Sequence, residues 1–284
     1  MSPALLLGGL GALSWGAGAL LSARSSRALG ALPSVLWLGI AGVPFGVVLA
    51  LAGGPPRVRA AEVPALAGAA VFLLVATQLW ALLVRRGKVS LAAPIVACDG
   101  AVAAVAAVVA GHRLPAAAYV GLTLMVAGLL VLSGSGGSTG AERSGRVLSR
   151  TATIWIAVVT ACCYGGMLYC AGGVHGTSPL WTVTIARAVA TVGALGFCIW
   201  QRRGRPSRSG VRFAAAAGVL DVTGFALFVA GARHDLAVSS VAVSQYGAVA
   251  SLAAVAFLRE RLTGSQIAGV AVLIVGAAVV AATG

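Results

Sequence analysis

Acidic residues are nearly missing from this chain. Six stand among 284 residues, against twenty basic ones, and charged residues of both signs make up only 9% of the sequence. An ordinary soluble domain carries roughly 25%. This chain therefore cannot dress a water-facing surface, and a soluble enzyme, a disordered segment and a coiled coil are all excluded. Cysteine is sparse and badly placed for chemistry. Cys98, Cys162, Cys163, Cys170 and Cys198 all fall inside apolar stretches, with no Cys-x-x-Cys beside a histidine. That removes a disulfide scaffold and leaves zinc or redox chemistry without a framework; the five read as small core residues. No Gly-x-x-x-x-Gly-Lys motif, metal-ligand cluster or Ser-His-Asp set occurs. An ATP-driven pump, a hydrolase and a cofactor-dependent centre are not expected, so the reading is of a protein that is not an enzyme and needs no cofactor. No basic residue precedes the first apolar stretch; Arg24 and Arg27 follow it. That reverses the secretory order and predicts a retained transmembrane helix.

What is present is hydrocarbon. Sixty per cent of the residues are hydrophobic, in runs of about 20 residues, each long enough to cross a bilayer. Breaks at Gly, Pro and Arg clusters predict ten spans, near 4–21, 32–52, 63–84, 91–110, 116–132, 151–171, 178–200, 213–231, 239–258 and 264–282. The expected class is an all-α integral membrane protein. Links of about five residues, as at Gly111–Pro115 and Arg259–Thr263, make neighbouring helices antiparallel. Only residues 135–150, rich in Gly and Ser, read as a flexible linker, between units at 1–134 and 151–284.

The net charge of +14 invites a nucleic-acid partner, but nearly all the basic residues sit in short gaps between apolar runs. This is the positive-inside pattern of a polytopic protein. One set of alternate loops carries Arg24, Arg27, Arg85, Arg86, Lys88, Arg143, Arg146, Arg150, the five arginines from 202 to 212, Arg259 and Arg261. The other carries Arg57, Arg59, Arg113 and Arg233. The rule puts the richer set in the cytoplasm and both termini outside. His175 and His234 fall in the outer loops and are expected to be solvated.

An internal repeat organises the chain. His112-Arg113-Leu114 matches Glu260-Arg261-Leu262 at an offset of 148, which Gly121/Gly269 and Gly128/Gly276 keep. Trp15-Gly16 matches Tyr164-Gly165 at 149, and Pro33 matches Pro179 at 146. Each half then holds five spans. Because five is odd, the second half enters the membrane inverted relative to the first, the plan of secondary transporters with a midplane site between halves.

These residues carry a resemblance. Phe257-Leu258-Arg259-Glu260-Arg261-Leu262-Thr263, followed by Gln266, Gly269, Leu273-Ile274 and Gly276, is similar to the closing signature of the EamA family of the drug/metabolite transporter superfamily. The steps Trp15-Gly16 and Tyr164-Gly165 resemble its first-helix motif, and Pro179 with Arg187 its second-helix pair. The resemblance implies ten transmembrane helices as two inverted five-helix repeats, and transport of small solutes, often export. Two departures stand out: His112 occupies the usual Glu position, and the first half has no counterpart of Arg187.

Charge at membrane depth costs at least about 2.5–3.5 kcal/mol per group near a helix centre, so Asp99, Arg187 and Asp221 each need a reason. One carboxylate can pair with Arg187, as a lock between helices. The other is left over and suited to carrying protons. Trp15 and Tyr164, related by the repeat, are expected on opposite walls of one central space, where their rings can hold an apolar or cationic solute. Gln78 and Trp80 in the third span, and Gln245 and Tyr246 in the ninth, are the other polar and aromatic groups at depth; amides in lipid must face the interior. Ser14 and Met167 are further candidates for the lining. The reading is a plasma-membrane secondary transporter, an exporter of a small organic solute by alternating access, coupled to protons. An uncoupled facilitator, or a scaffold or lipid-handling protein on the same fold, is the alternative. The partners are solute, bilayer and protons, without nucleic acid, in a monomer or homodimer.

Overall fold

A computed structural model describes residues 2–87, 95–111, 148–200 and 208–247 continuously, with scattered positions from 92 to 131 and from 249 to 279. Every element longer than one turn among the described residues is an α-helix. Helix α1 runs Pro3–Leu29, α2 Ala31–Ala52, α3 Val63–Arg86, α4 Asp99–Val109, α5 Arg150–Gly172, α6 Pro179–Trp200, α7 Arg208–Ala232 and α8 Leu236–Ser244. Six of the helical segments are long and apolar enough to cross a membrane.

The ends follow local chemistry. Ser2 caps α1 through its hydroxyl, which accepts from Leu5 N, and Pro3 occupies the first turn where its missing N–H costs nothing. Helix α1 then outruns its predicted end at residue 21 and carries Arg24 and Arg27 on its last turns; the Arg24 guanidinium lies 5.8 Å from the Phe213 ring. Gly30 alone joins α1 to α2, at φ +87°, where only a residue without a side chain is unstrained. Ser149 caps α5 and Asp235 caps α8, accepting from Ala152 N at 3.1 Å and Val238 N at 2.9 Å. The closing motif at residues 257–263, the counterpart at 112–114 and the stretch 135–147 of the expected linker lie outside the described residues. Gly121, Gly128, Gly269 and Gly276 are buried helical positions.

The fourth and ninth spans depart from the expectation of continuous helices. Turns at Ala97 and Cys98 precede α4, and a turn at Gln245 follows α8 before the chain resumes helix at Tyr246. The interruptions sit at the same place in the repeat, 148 residues apart. Asp99 lies in the first turn of α4, where a carboxylate offsets the positive end of the helix dipole.

Packing follows the repeat as well. Helix α1 packs chiefly on α7 and its counterpart α5 on α3; α2 lies on α7 as α6 lies on α3; α4 meets α5 as α8 meets α1. The halves are interleaved, so among the described helices most contacts of one half are with the other. Small residues allow the closest approaches. A Cβ on Gly165 would stand 2.7 Å from the Asp99 carbonyl oxygen, and one on Gly100 would overlap that of Ser240. Glycine at both positions lets α4, α5 and α8 close around Asp99.

Candidate functional site: an acidic and aromatic cluster between the halves

Helix α6 buries Arg187 to 7% exposure, and its Nη2 forms an ion pair with Asp221 Oδ2 on α7. Of the two aspartates that the sequence left open as partners of Arg187, the one paired with it is Asp221. That leaves Asp99. This carboxyl is 3% exposed, and Oδ1 accepts from Gly100 N at 2.7 Å. Among the described residues no basic side chain forms an ion pair with it.

Aromatic rings surround these charges. The Trp15 indole donates from Nε1 to the Asp221 carbonyl oxygen at 3.0 Å, and Ser14 Oγ donates to that of Leu220 at 2.7 Å, pinning α1 to α7 through consecutive carbonyls. Gly224 provides the seat, since a Cβ there would stand 2.5 Å from Trp15 Cδ1. The same indole meets Tyr246 edge to face, centroids 5.8 Å apart at 86°, and leans on Phe225 at 6.2 Å. Tyr164, on the counterpart helix α5, lies within electrostatic reach of Arg187, Asp221 and Asp99. Tyr246 is in reach of Asp99 and Tyr164. Six residues named from sequence therefore converge: Trp15, Asp99, Tyr164, Arg187, Asp221 and Tyr246.

The remaining candidates sit at greater remove. Gln78 on α3 is half-buried, and both atoms of its amide are enclosed without a hydrogen-bond partner among the described residues. Trp80 packs with Leu83, Val96 and Ala157 in a separate apolar cluster that Tyr164 also touches. Gln245 marks the end of α8, and its Nε2 turns back onto the Val241 carbonyl at 3.2 Å. Ser14 is a helix tie, and Met167 belongs to the packed core. His175 and His234 are exposed, as are the outer-loop arginines Arg57, Arg59 and Arg233.

One acidic residue drew no attention in the sequence. Glu62, in the single turn Ala60–Glu62 ahead of α3, accepts from Gly176 N, Thr177 N and Thr177 Oγ1 in the second half. Beside it a cavity of about 480 Å³ opens at the loop end of the bundle, lined by Tyr169, Cys170, His175, Arg233, His234 and Asp235 among others. It is distinct from the cluster around Asp99. The only legible sign of Glu62 was its isolation, as the one acid between two arginines and an apolar run.

Comparisons with known proteins bear on the whole chain. One solved crystal structure of a protein superposes with a TM-score of 0.80, at 18% identity, over 99% of this chain and 98% of that one. At that identity the likeness carries the fold alone. No curated protein matches. The EamA-like transporter family, however, matches residues 2–134 and again residues 151–282, one copy for each half of the repeat. This multi-pass membrane chain belongs to the EamA-like transporter family.

Proposed function

We propose that this protein is a proton-coupled secondary transporter exporting a small organic cation by alternating access. Its ten helices would form two inverted five-helix repeats that rock about the cluster of Asp99, Tyr164, Tyr246 and Trp15. The observation that carries the reading is the charge inventory. Arg187 is committed to Asp221, and Asp99 is as deeply buried as any polar group of the cluster, with no basic side chain paired to it among the described residues. An ionised carboxylate held in low dielectric is costly unless a positive partner accompanies it. A proton meets that need, and so does a cationic solute. The two then exclude one another at Asp99, which is the logic of an exchanger. Tyr246 and Trp15, edge to face, supply rings for an organic cation.

The helix interruptions at Ala97–Cys98 and Gln245 support the same reading. Broken spans at equivalent points of two repeats are where transporters of inverted-repeat design build their sites. On this reading the termini lie outside and the arginine-rich loops in the cytoplasm of a bacterial inner membrane. The test is purified protein in proteoliposomes loaded at acidic pH, challenged with a panel of hydrophilic quaternary ammonium ions, which have no neutral form to cross the bilayer unaided. Cation uptake with proton release, absent from empty vesicles, is expected. Equal fluxes with and without the gradient would leave a facilitator.

A further inference from the structure

The loop end that carries Arg57, Arg59 and Arg233 is tied across the halves by more than packing. Glu62 arrives from the first half and Gly176 and Thr177 from the second. Two successive backbone N–H groups and one hydroxyl converge on its carboxylate, with Thr177 N at 3.0 Å and Thr177 Oγ1 at 2.8 Å. Consecutive N–H groups turned to one point form a concave anion seat, and hydrogen bonds to a charged acceptor are about twice as strong as neutral ones. Glycine at residue 176 lets the carboxylate sit close: a Cβ there would stand 2.7 Å from Glu62 Oε1 and 2.9 Å from Arg59 Nε, so both side chains would have to shift. Thr177 is fully buried, and Arg233, from the turn between α7 and α8, donates through Nη2 to its carbonyl oxygen. One neutral bond adds to the tie, Trp181 Nε1 to the Gly54 carbonyl at 3.0 Å.

The opposite end is held differently. Among the described residues its cross-half ties are the Arg24 guanidinium 5.8 Å from the Phe213 ring and two neutral hydrogen bonds, Ser25 Oγ to the Gly210 carbonyl at 3.0 Å and Leu148 N to that of Arg86 at 2.8 Å. From this charged seat joining the two halves we infer that Glu62 is the bolt of a gate: its carboxylate in the Gly176–Thr177 seat holds the Arg57/Arg233 end shut, and its withdrawal is the step that opens that end. Arg233 steadies the seat while lining the adjoining cavity, so the bolt stands beside that cavity. The purpose of the gate rests on the transport reading above, but its test needs no solute.

Spin labels on Ala61→Cys and Ser178→Cys, both exposed positions flanking the seat, report the gap by pulsed electron paramagnetic resonance after the five native cysteines are replaced. Unaltered Glu62 should give a dominant short distance. Glu62→Gln keeps the size of the side chain but removes its charge, and sets an amide N–H₂ against the N–H donors. The ratio of long to short distances should rise roughly tenfold, the scale expected for losing hydrogen bonds to a charged group. Thr177→Val, which deletes only the hydroxyl, should move the ratio the same way by less. Should Glu62→Gln fail to yield monodisperse protein, Thr177→Val carries the same two readings. Distance distributions that superimpose on those of the parent overturn the proposal. Solute flux fails independently: an opening gate without flux counts against the transport reading alone, and flux with an unmoved gate counts against the bolt alone.

Discussion

Removing one member of the Arg187–Asp221 pair leaves the other charge buried and unmatched. Asp221→Asn or Arg187→Leu should therefore lower stability by about 3–5 kcal/mol, as for other broken buried pairs. The double variant Arg187→Leu with Asp221→Leu should recover much of that loss, because two apolar groups restore neutrality. Thermal unfolding of detergent-solubilised protein, followed by the loss of monodisperse material, measures both. Asp99→Asn should behave oppositely, with an unfolding midpoint close to the parent, since a neutral amide satisfies the Gly100 N–H as the carboxylate does. Such a division between two aspartates was partly legible in the sequence. Each stood out as a charge in an apolar run, and one had to pair with Arg187. Which one did depends on α6 lying against α7, and no spacing along the chain encodes that. Glu62 was illegible for the reverse reason. An acid in a loop is ordinary, and only the fold brings Gly176 and Thr177 to it.

At the level of helices, most boundaries were readable from runs of apolar residues bounded by Gly, Pro and Arg. Helix α2 begins one residue earlier than predicted and α3 at the predicted residue, while α1 and α7 run further into their arginine-bearing ends. The interruptions in the fourth and ninth spans were not readable, because Asp99 and Gln245 stood out only as polar groups inside runs long enough for a continuous helix, with no Pro at Ala97, Cys98 or Gln245 to mark a break. What fixes the first break is the contact it allows: Gly100 against the Ser240 backbone, with Asp99 beside it in the first turn of α4. Gly100→Ala should accordingly push α4 from α8 and destabilise by about 1–3 kcal/mol, the usual cost of overpacking. Gly9 is a fit control. Nothing stands within 4 Å of its missing Cβ, so Gly9→Ala should be neutral or stabilise by roughly 0.5–1 kcal/mol. The same unfolding assay separates them, and equal midpoints would contradict the close-approach argument.

For the molecule as a whole, the repeat read from Gly, Pro and Arg matches reappears as reciprocal packing, α1 on α7 and α5 on α3, and as two copies of one family. Orientation is a matter of charge. Leu148 N bonds to the Arg86 carbonyl, and Arg24 faces Phe213, while Arg57, Glu62 and Arg233 gather about Thr177 at the other end. A phosphatase reporter fused after Gly284 should therefore be active, because the rule leaves the termini outside; activity from a cytoplasm-specific reporter there would reverse the assignment.

The central claim is that protons and solute compete for Asp99 and not for Asp221. Flux of an accepted organic cation against an imposed pH gradient, in proteoliposomes bearing the parent, Asp99→Asn or Asp221→Asn, tests it most directly. The account predicts that Asp99→Asn abolishes the dependence on the gradient in folded protein. Whatever Asp221→Asn protein survives purification should keep it. Gradient dependence undiminished in Asp99→Asn would contradict the account.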